Sequence, residues 1–180
     1  QGDVGSGKTV VALHALVMAC GSGCQTALMA PTEILAEQHY LNLRPLLDAV
    51  GFKAVLITSG GKAKDRHAVL TQLASGDAQV AIGTHALIED TVAFARLGLA
   101  IVDEQHRFGV VQRLALRAKL EAAAAALPHQ LMMSATPIPR TLALTIYGDL
   151  DTSVMDELPP GRKPITTRHV TGDKIEQVYA

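Results

Sequence analysis

The stretch Gly2-Asp3-Val4-Gly5-Ser6-Gly7-Lys8-Thr9 constrains this chain more than any other. It satisfies, at every fixed position, the phosphate-loop pattern of Gly, four residues, then Gly-Lys-Ser/Thr. Gly2, Gly5 and Gly7 carry no Cβ, so the backbone can reach positive φ and turn its N–H groups onto phosphate oxygens. Lys8 can reach the β- and γ-phosphates as a compact point charge. The Thr9 hydroxyl is a hard oxygen ligand suited to Mg²⁺, and a following helix aims its positive end at the anion. Asp3, Val4 and Ser6 complete the candidate nucleotide-binding loop. The pattern implies a nucleoside triphosphate ligand with Mg²⁺, and a strand–loop–helix context around it.

The remaining elements follow from hydrophobic patterning. Residues 9–19 are apolar nearly all round and predict a helix buried on more than one side, ended by a turn at Cys20–Cys24. Thr26–Ala30 reads as a short buried strand closed by Pro31. Ala36, Tyr40, Leu43, Leu47 and Val50 step by four, three, four and three, which marks one face of a helix with Thr32 as N-cap and Gly51 as stop. A strand at Ala54–Thr58, a Ser59-Gly60-Gly61 turn and a helix carrying Val69, Leu70 and Leu73 follow. Further strands are predicted at Val80–Gly83, Leu99–Val102 and Leu131–Ser134, with an alanine-rich helix running to Leu127 and another helix after Pro139. The strands are apolar on successive residues and alternate with helices. That predicts an α/β fold, doubly wound around a mostly parallel sheet covered on both faces.

Leu158-Pro159-Pro160-Gly161-Arg162-Lys163-Pro164 breaks the alternation, since three prolines and a glycine in seven residues suit a linker. Ile165–Val170 and Asp173–Tyr179 then read as a strand and a helix start with no partner sheet within the sequence. The strand that feeds a phosphate loop is expected upstream of Gln1. The chain is therefore expected to be part of a longer protein.

Composition excludes more than it selects. No run approaches the ~20 uninterrupted apolar residues of a membrane span, so no membrane partner is expected. No signal peptide is expected either, because the chain opens inside a motif. Two cysteines, Cys20 and Cys24, lack the further Cys or His pair of a zinc site and suit a reducing cytoplasm. A net charge of −1 gives no global attraction to nucleic acid, so any DNA contact must be local. Lys62, Lys64, Arg66 and His67 form the densest positive cluster, readable as a solvated helix face or as a phosphate contact.

A second chemical stretch is Asp103-Glu104-Gln105-His106, after the apolar run Leu99-Ala100-Ile101-Val102. In a doubly wound sheet, ligands sit beyond the carboxyl ends of the strands, which sets this pair of carboxylates beside the phosphate loop. Phosphoryl transfer to water uses such a pair. One carboxylate holds Mg²⁺, usually through water, and the other orients or deprotonates the attacking water.

Asp-Glu-x-His after a buried strand, together with the phosphate loop, resembles the superfamily-two helicases and translocases. Ala30-Pro31-Thr32-Glu33 resembles their motif Ia, Gly83-Thr84-His85 motif Ib and Ser134-Ala135-Thr136-Pro137 motif III. The phosphate loop, Asp103-Glu104-Gln105-His106-Arg107-Phe108-Gly109-Val110 and Ala135-Thr136-Pro137-Ile138-Pro139-Arg140-Thr141-Leu142 narrow the resemblance to the first motor lobe of the RecG family of branch-migration helicases. The resemblance covers essentially the whole chain. The transcription-repair coupling translocases share much of it. Gln105 and the stretch Asp156-Glu157-Leu158-Pro159-Pro160-Gly161-Arg162 favour the RecG family.

The resemblance implies a RecA-like lobe over residues 1–157, a linker over 158–164 and the start of a second lobe over 165–180. It implies an ATP-dependent DNA helicase that remodels forked or branched DNA in repair and recombination, with a wedge domain and a second motor lobe elsewhere in the protein. Gly5, Gly7, Lys8 and Thr9 would serve the triphosphate and Mg²⁺. Asp103 would serve Mg²⁺, and Glu104 would be the catalytic base. Gln105 and His106 would report nucleotide state to Ser134 and Thr136. Pro31, Thr32, Thr84 and His85 would contact one DNA strand's backbone. A non-hydrolysing ATP-binding module is disfavoured by Glu104. A small-molecule kinase is disfavoured by the Asp103–His106 and Ser134–Pro137 segments.

Overall fold

The computed structural model describes residues 1–60, 63–104, 108, 128–136 and 151–156. Among the described residues five strands form one parallel sheet: β1 (Gln25–Met29), β2 (Ala54–Ile57), β3 (Val80–Gly83), β4 (Leu97–Val102) and β5 (His129–Met132), in the order β2-β3-β1-β4-β5. Among the described residues three α-helices accompany them: α1 (Lys8–Gly21), α2 (Glu33–Ala49) and α3 (Ala63–Ser75). Parallel neighbours need crossovers, and here the crossovers lie on both faces.

Side-chain alternation divides the core accordingly. Leu28, Val80, Ile82, Leu99 and Ile101 pack on one face with Ala12 and Leu16 of α1 and Leu43 and Leu47 of α2. Ala27, Met29, Val55, Ile57, Ala81, Ala100 and Val102 face the other way, toward Leu73 of α3 and Leu87. The strands read as continuous apolar runs because both of their faces are buried. The doubly wound α/β expectation holds.

Element ends are set by local chemistry. Thr32 caps α2 as expected, its hydroxyl accepting from Leu35 N at 3.3 Å. Gly51, at φ 83°, follows the helix in the left-handed region where a side chain is costly. Three expectations need correction. Helix α1 continues through Cys20 to Gly21, and it buries only the Ala12–Leu16–Cys20 stripe. Val10 is 69% exposed and Met18 62%, so α1 is not buried on more than one side by the described elements. Strand β5 begins at His129, two residues before the apolar signal, because its first residues are exposed and polar. The alanine-rich helix, the helix after Pro139, Gln105, His106, the linker and residues 165–180 lie outside the described residues. No helix among the described residues is long and apolar enough to cross a membrane.

Candidate active site

The phosphate loop runs into the N-terminus of α1. Gly7 is the N-cap, with φ 96° and no side-chain cap, and no acidic residue stands in the first turn of α1. The helix therefore presents its uncapped N–H groups and its positive dipole end with nothing negative in the first turn to neutralise them. Gly2 is needed for space: a Cβ there would stand 2.6 Å from Ser6 Oγ. Lys8 Nζ donates to Gly2 O at 2.7 Å and Asp3 O at 2.9 Å, so the loop's own carbonyls hold its ammonium group. Asp3 shapes the turn, accepting from Val4 N on Oδ1 at 2.7 Å and from Ser6 N on its carbonyl at 3.1 Å. Ser6 Oγ is buried without a hydrogen-bond partner among the described residues. A left-handed glycine cap, an unneutralised helix start and an orphaned hydroxyl fit an anion such as a triphosphate.

The loop is tied to the sheet at its carboxyl edge. Gly2 N donates to Ser134 O, just past β5, at 3.2 Å, and Gly2 bridges Met155 in parallel. Ser134 is buried, and its hydroxyl lies 3.0 Å from Thr136 Oγ1 while accepting from Thr136 N at 3.2 Å. These two residues of the predicted coupling set thus form one local turn against the start of the phosphate loop. Its partners Gln105 and His106 are not described.

Asp103 and Glu104 leave β4 at the same edge. Asp103 N donates to Met29 O at 2.9 Å, anchoring the turn to the end of β1. The Asp103 carboxylate is held from two sides, Oδ1 by Glu104 N at 3.0 Å and Oδ2 by His39 Nε2 at 2.8 Å. Glu104 has φ 50°, the only positive φ on a non-glycine residue among the described residues. Such a backbone is costly and persists where the surroundings impose it, most often at functional sites. For Mg²⁺, the Thr9 hydroxyl and the Asp103 carboxylate are hard oxygen donors on elements that converge at this edge, few enough to leave the ion most of its waters.

The residues expected to meet DNA also follow strand ends on this edge. Pro31 and Thr32 stand after β1, with Thr32 exposed. Thr84 is 2% exposed, and its hydroxyl accepts from Ala86 N at 3.4 Å, capping the short 3-10 turn His85–Ile88. That leaves His85 as the exposed side chain of the pair. In the positive cluster, Arg66 pairs with Glu89 at 2.7 Å and donates to Thr58 O at 3.3 Å, which neutralises much of its charge internally. His39 was not legible as a site residue: it stands 64 residues from Asp103 in a helix, and only tertiary register brings the two together.

A family model described as DEAD/DEAH box helicase matches residues 1–145. Over its full 180 residues the chain is 54% identical to the ATP-dependent DNA helicase RecG of Pasteurella multocida, of which it spans 26%. Over 167 residues, 93% of the chain, it is 56% identical to RecG of Escherichia coli K12, spanning 24% of that protein. The chain thus spans about a quarter of the length of the curated relatives it matches. A solved structure of RecG bound to a three-way DNA junction superposes with a TM-score of 0.81 at 42% identity, covering 99% of this chain and 23% of the other. The yeast DEAD-box splicing factor Prp28 matches with a TM-score of 0.63 over 80% of this chain and 38% of its own, and at 18% identity it shares the fold alone.

Proposed function

The chain belongs to the DEAD/DEAH box helicase family, and from that premise we propose that it is the first motor lobe of a RecG-type helicase, remodelling forked and branched DNA by ATP hydrolysis. One observation carries the reading: Asp103-Glu104, Ser134 and the phosphate loop meet at one carboxyl edge of the sheet, with Gly2 N on Ser134 O at 3.2 Å. The identity to RecG relatives supports the substrate class.

In this account the loop N–H groups and the start of α1 grip the triphosphate. Lys8 exchanges the carbonyls of Gly2 and Asp3 for β- and γ-phosphate oxygens. Thr9, and Asp103 through water, would hold Mg²⁺, which would supply neutralising positive charge to the triphosphate. Glu104 orients the attacking water and takes its proton. Gln105 and His106 pass the nucleotide state to Ser134 and Thr136. Because Gly2 and Ser134 share a hydrogen bond, a shift at either is felt at the other. Pro31, Thr32 and His85 meet the backbone of one DNA strand, with Thr84 shaping the turn that presents His85. Such contacts position the motor without reading sequence. A second motor lobe and a wedge domain, elsewhere in the protein, close the cleft and engage the junction, and the cytoplasm is the proposed site of action.

The test uses the complete protein. Glu104→Gln keeps nucleotide binding and stops hydrolysis, while Asp103→Asn also weakens the Mg²⁺-dependent part of binding. Equal and mild effects from both contradict the proposal. Turnover stimulated by a stalled polymerase, rather than by forked DNA, assigns the lobe to the transcription-repair translocases.

A further inference from the structure

Nothing in the phosphate-loop chemistry above uses His39, yet its placement is specific. It lies on the sheet-facing stripe of α2, three residues after buried Ala36 and four before buried Leu43. Its Nε2 meets Asp103 Oδ2 at 2.8 Å, with the two side chains only 12% and 13% exposed. The other carboxylate oxygen, Oδ1, is already fixed by the N–H of Glu104 at 3.0 Å. A carboxylate held at one oxygen can still swing about that contact. Held at both, its plane is fixed. A carboxylate has about four lone-pair sites, so two donors leave acceptor capacity for the waters of a hydrated cation.

We propose that His39 is a positioning residue for Mg²⁺-dependent nucleotide binding, locking the Asp103 carboxylate in the orientation that receives the hydrated ion. The inference rests on the assignment of Asp103 above. Partners that orient a ligating side chain belong on rigid elements, and the middle of a capped helix that buries Ala36, Leu43 and Leu47 against the sheet is such an element. The contact also explains why α2 and the Asp103 turn are joined by a side chain when the backbone of that turn is already bonded to Met29 O at 2.9 Å.

The experiment measures binding of a fluorescent ATP analogue to the complete protein as MgCl₂ is titrated, so that turnover is not the readout. Wild type, Asp103→Asn, His39→Ala, His39→Gln and the double variant His39→Ala/Asp103→Asn are compared, with thermal unfolding of each. His39→Ala is expected to raise the half-saturating Mg²⁺ concentration about 10-fold, the lower end of the usual loss when such an outer partner is removed. His39→Gln, whose amide N–H₂ can still donate to Oδ2, restores most of the affinity. The double variant binds Mg²⁺-nucleotide no more weakly than Asp103→Asn alone, because His39 acts through Asp103. A lowered Tm with an unmoved Mg²⁺ midpoint in both His39 variants marks a merely structural contact and overturns the inference, as do losses that multiply in the double variant. An unmoved midpoint in Asp103→Asn itself overturns the assignment of Asp103, and the role of His39 with it.

Discussion

The backbone of Glu104 offers a way to separate strain from chemistry. Its φ of 50° places a residue with a Cβ in the left-handed region, which costs a non-glycine residue about 1–2 kcal/mol. Replacing Glu104 by Ala or by Gly removes the same carboxylate, so the two variants differ only in how they bear that backbone. Glycine is relieved of the steric cost but gives back about 0.5–1 kcal/mol in unfolded-chain entropy. At the middle of these ranges the balance favours Gly over Ala by about 0.75 kcal/mol. Followed as the lobe's own unfolding transition within the complete protein, that is a Tm higher by about 2 °C. In ordinary extended backbone the order reverses, because Ala is then the better residue. Both variants, and Glu104→Gln, lose the proposed base, and ATP turnover is expected to fall by about 10²–10⁴. The assay is paired thermal unfolding with phosphate release on the complete protein. An Ala variant as stable as the Gly variant, or more so, refutes the claim that the site holds Glu104 under strain. Turnover within a few-fold of wild type refutes its catalytic role.

Three further outcomes follow from the geometry. Lys8→Ala lowers ATP turnover by about 10²–10³, the worth of one preorganised donor to developing charge, and near-normal turnover at saturating ATP contradicts the assignment. Leu16 is fully buried between α1 and the sheet, so Leu16→Ala costs about 2–5 kcal/mol by denaturant unfolding, whereas Met18→Ala, on the exposed side, costs far less. Burial raises the thiol pKa of Cys20 above its ordinary value, its contact with Thr26 opposing this only in part. Less of Cys20 is therefore thiolate at neutral pH. Mass spectrometry after brief iodoacetamide treatment should find Cys24 modified first, and the reverse order contradicts the packing of Cys20.

Much of the fold was legible because a parallel sheet buried on both faces writes itself as short continuous apolar runs. The predicted β3 matches residue for residue, and β1, β2 and β4 fall within one or two residues of prediction. The failures have physical causes. β5 opens with His129 and Gln130, exposed residues that carry no apolar signal. The exposed Val10 and Met18 of α1 were misread because hydrophobicity alone does not tell which faces have neighbours. The phosphate loop and Asp103-Glu104 were legible as candidates because the chemistry proposed for them fixes residue type and spacing. His39 was not, since contact with Asp103 depends on how α2 crosses the sheet. Nor was the left-handed backbone of Glu104, which no glutamate advertises.

The most direct test of the central claim is phosphate release, with and without forked DNA, by residues 1–180 alone and by the complete protein at matched concentration. Lys8, Thr9, Asp103 and Glu104 all lie in this lobe, so the 180-residue chain carries the groups proposed to grip the triphosphate and activate water. In such enzymes the charge that develops in transfer is met by an arginine finger worth about 10³-fold or more, and the second motor lobe is proposed here as its source. The account predicts forked-DNA-stimulated turnover by the complete protein and none by residues 1–180. Robust DNA-stimulated turnover by the 180-residue chain alone would contradict it.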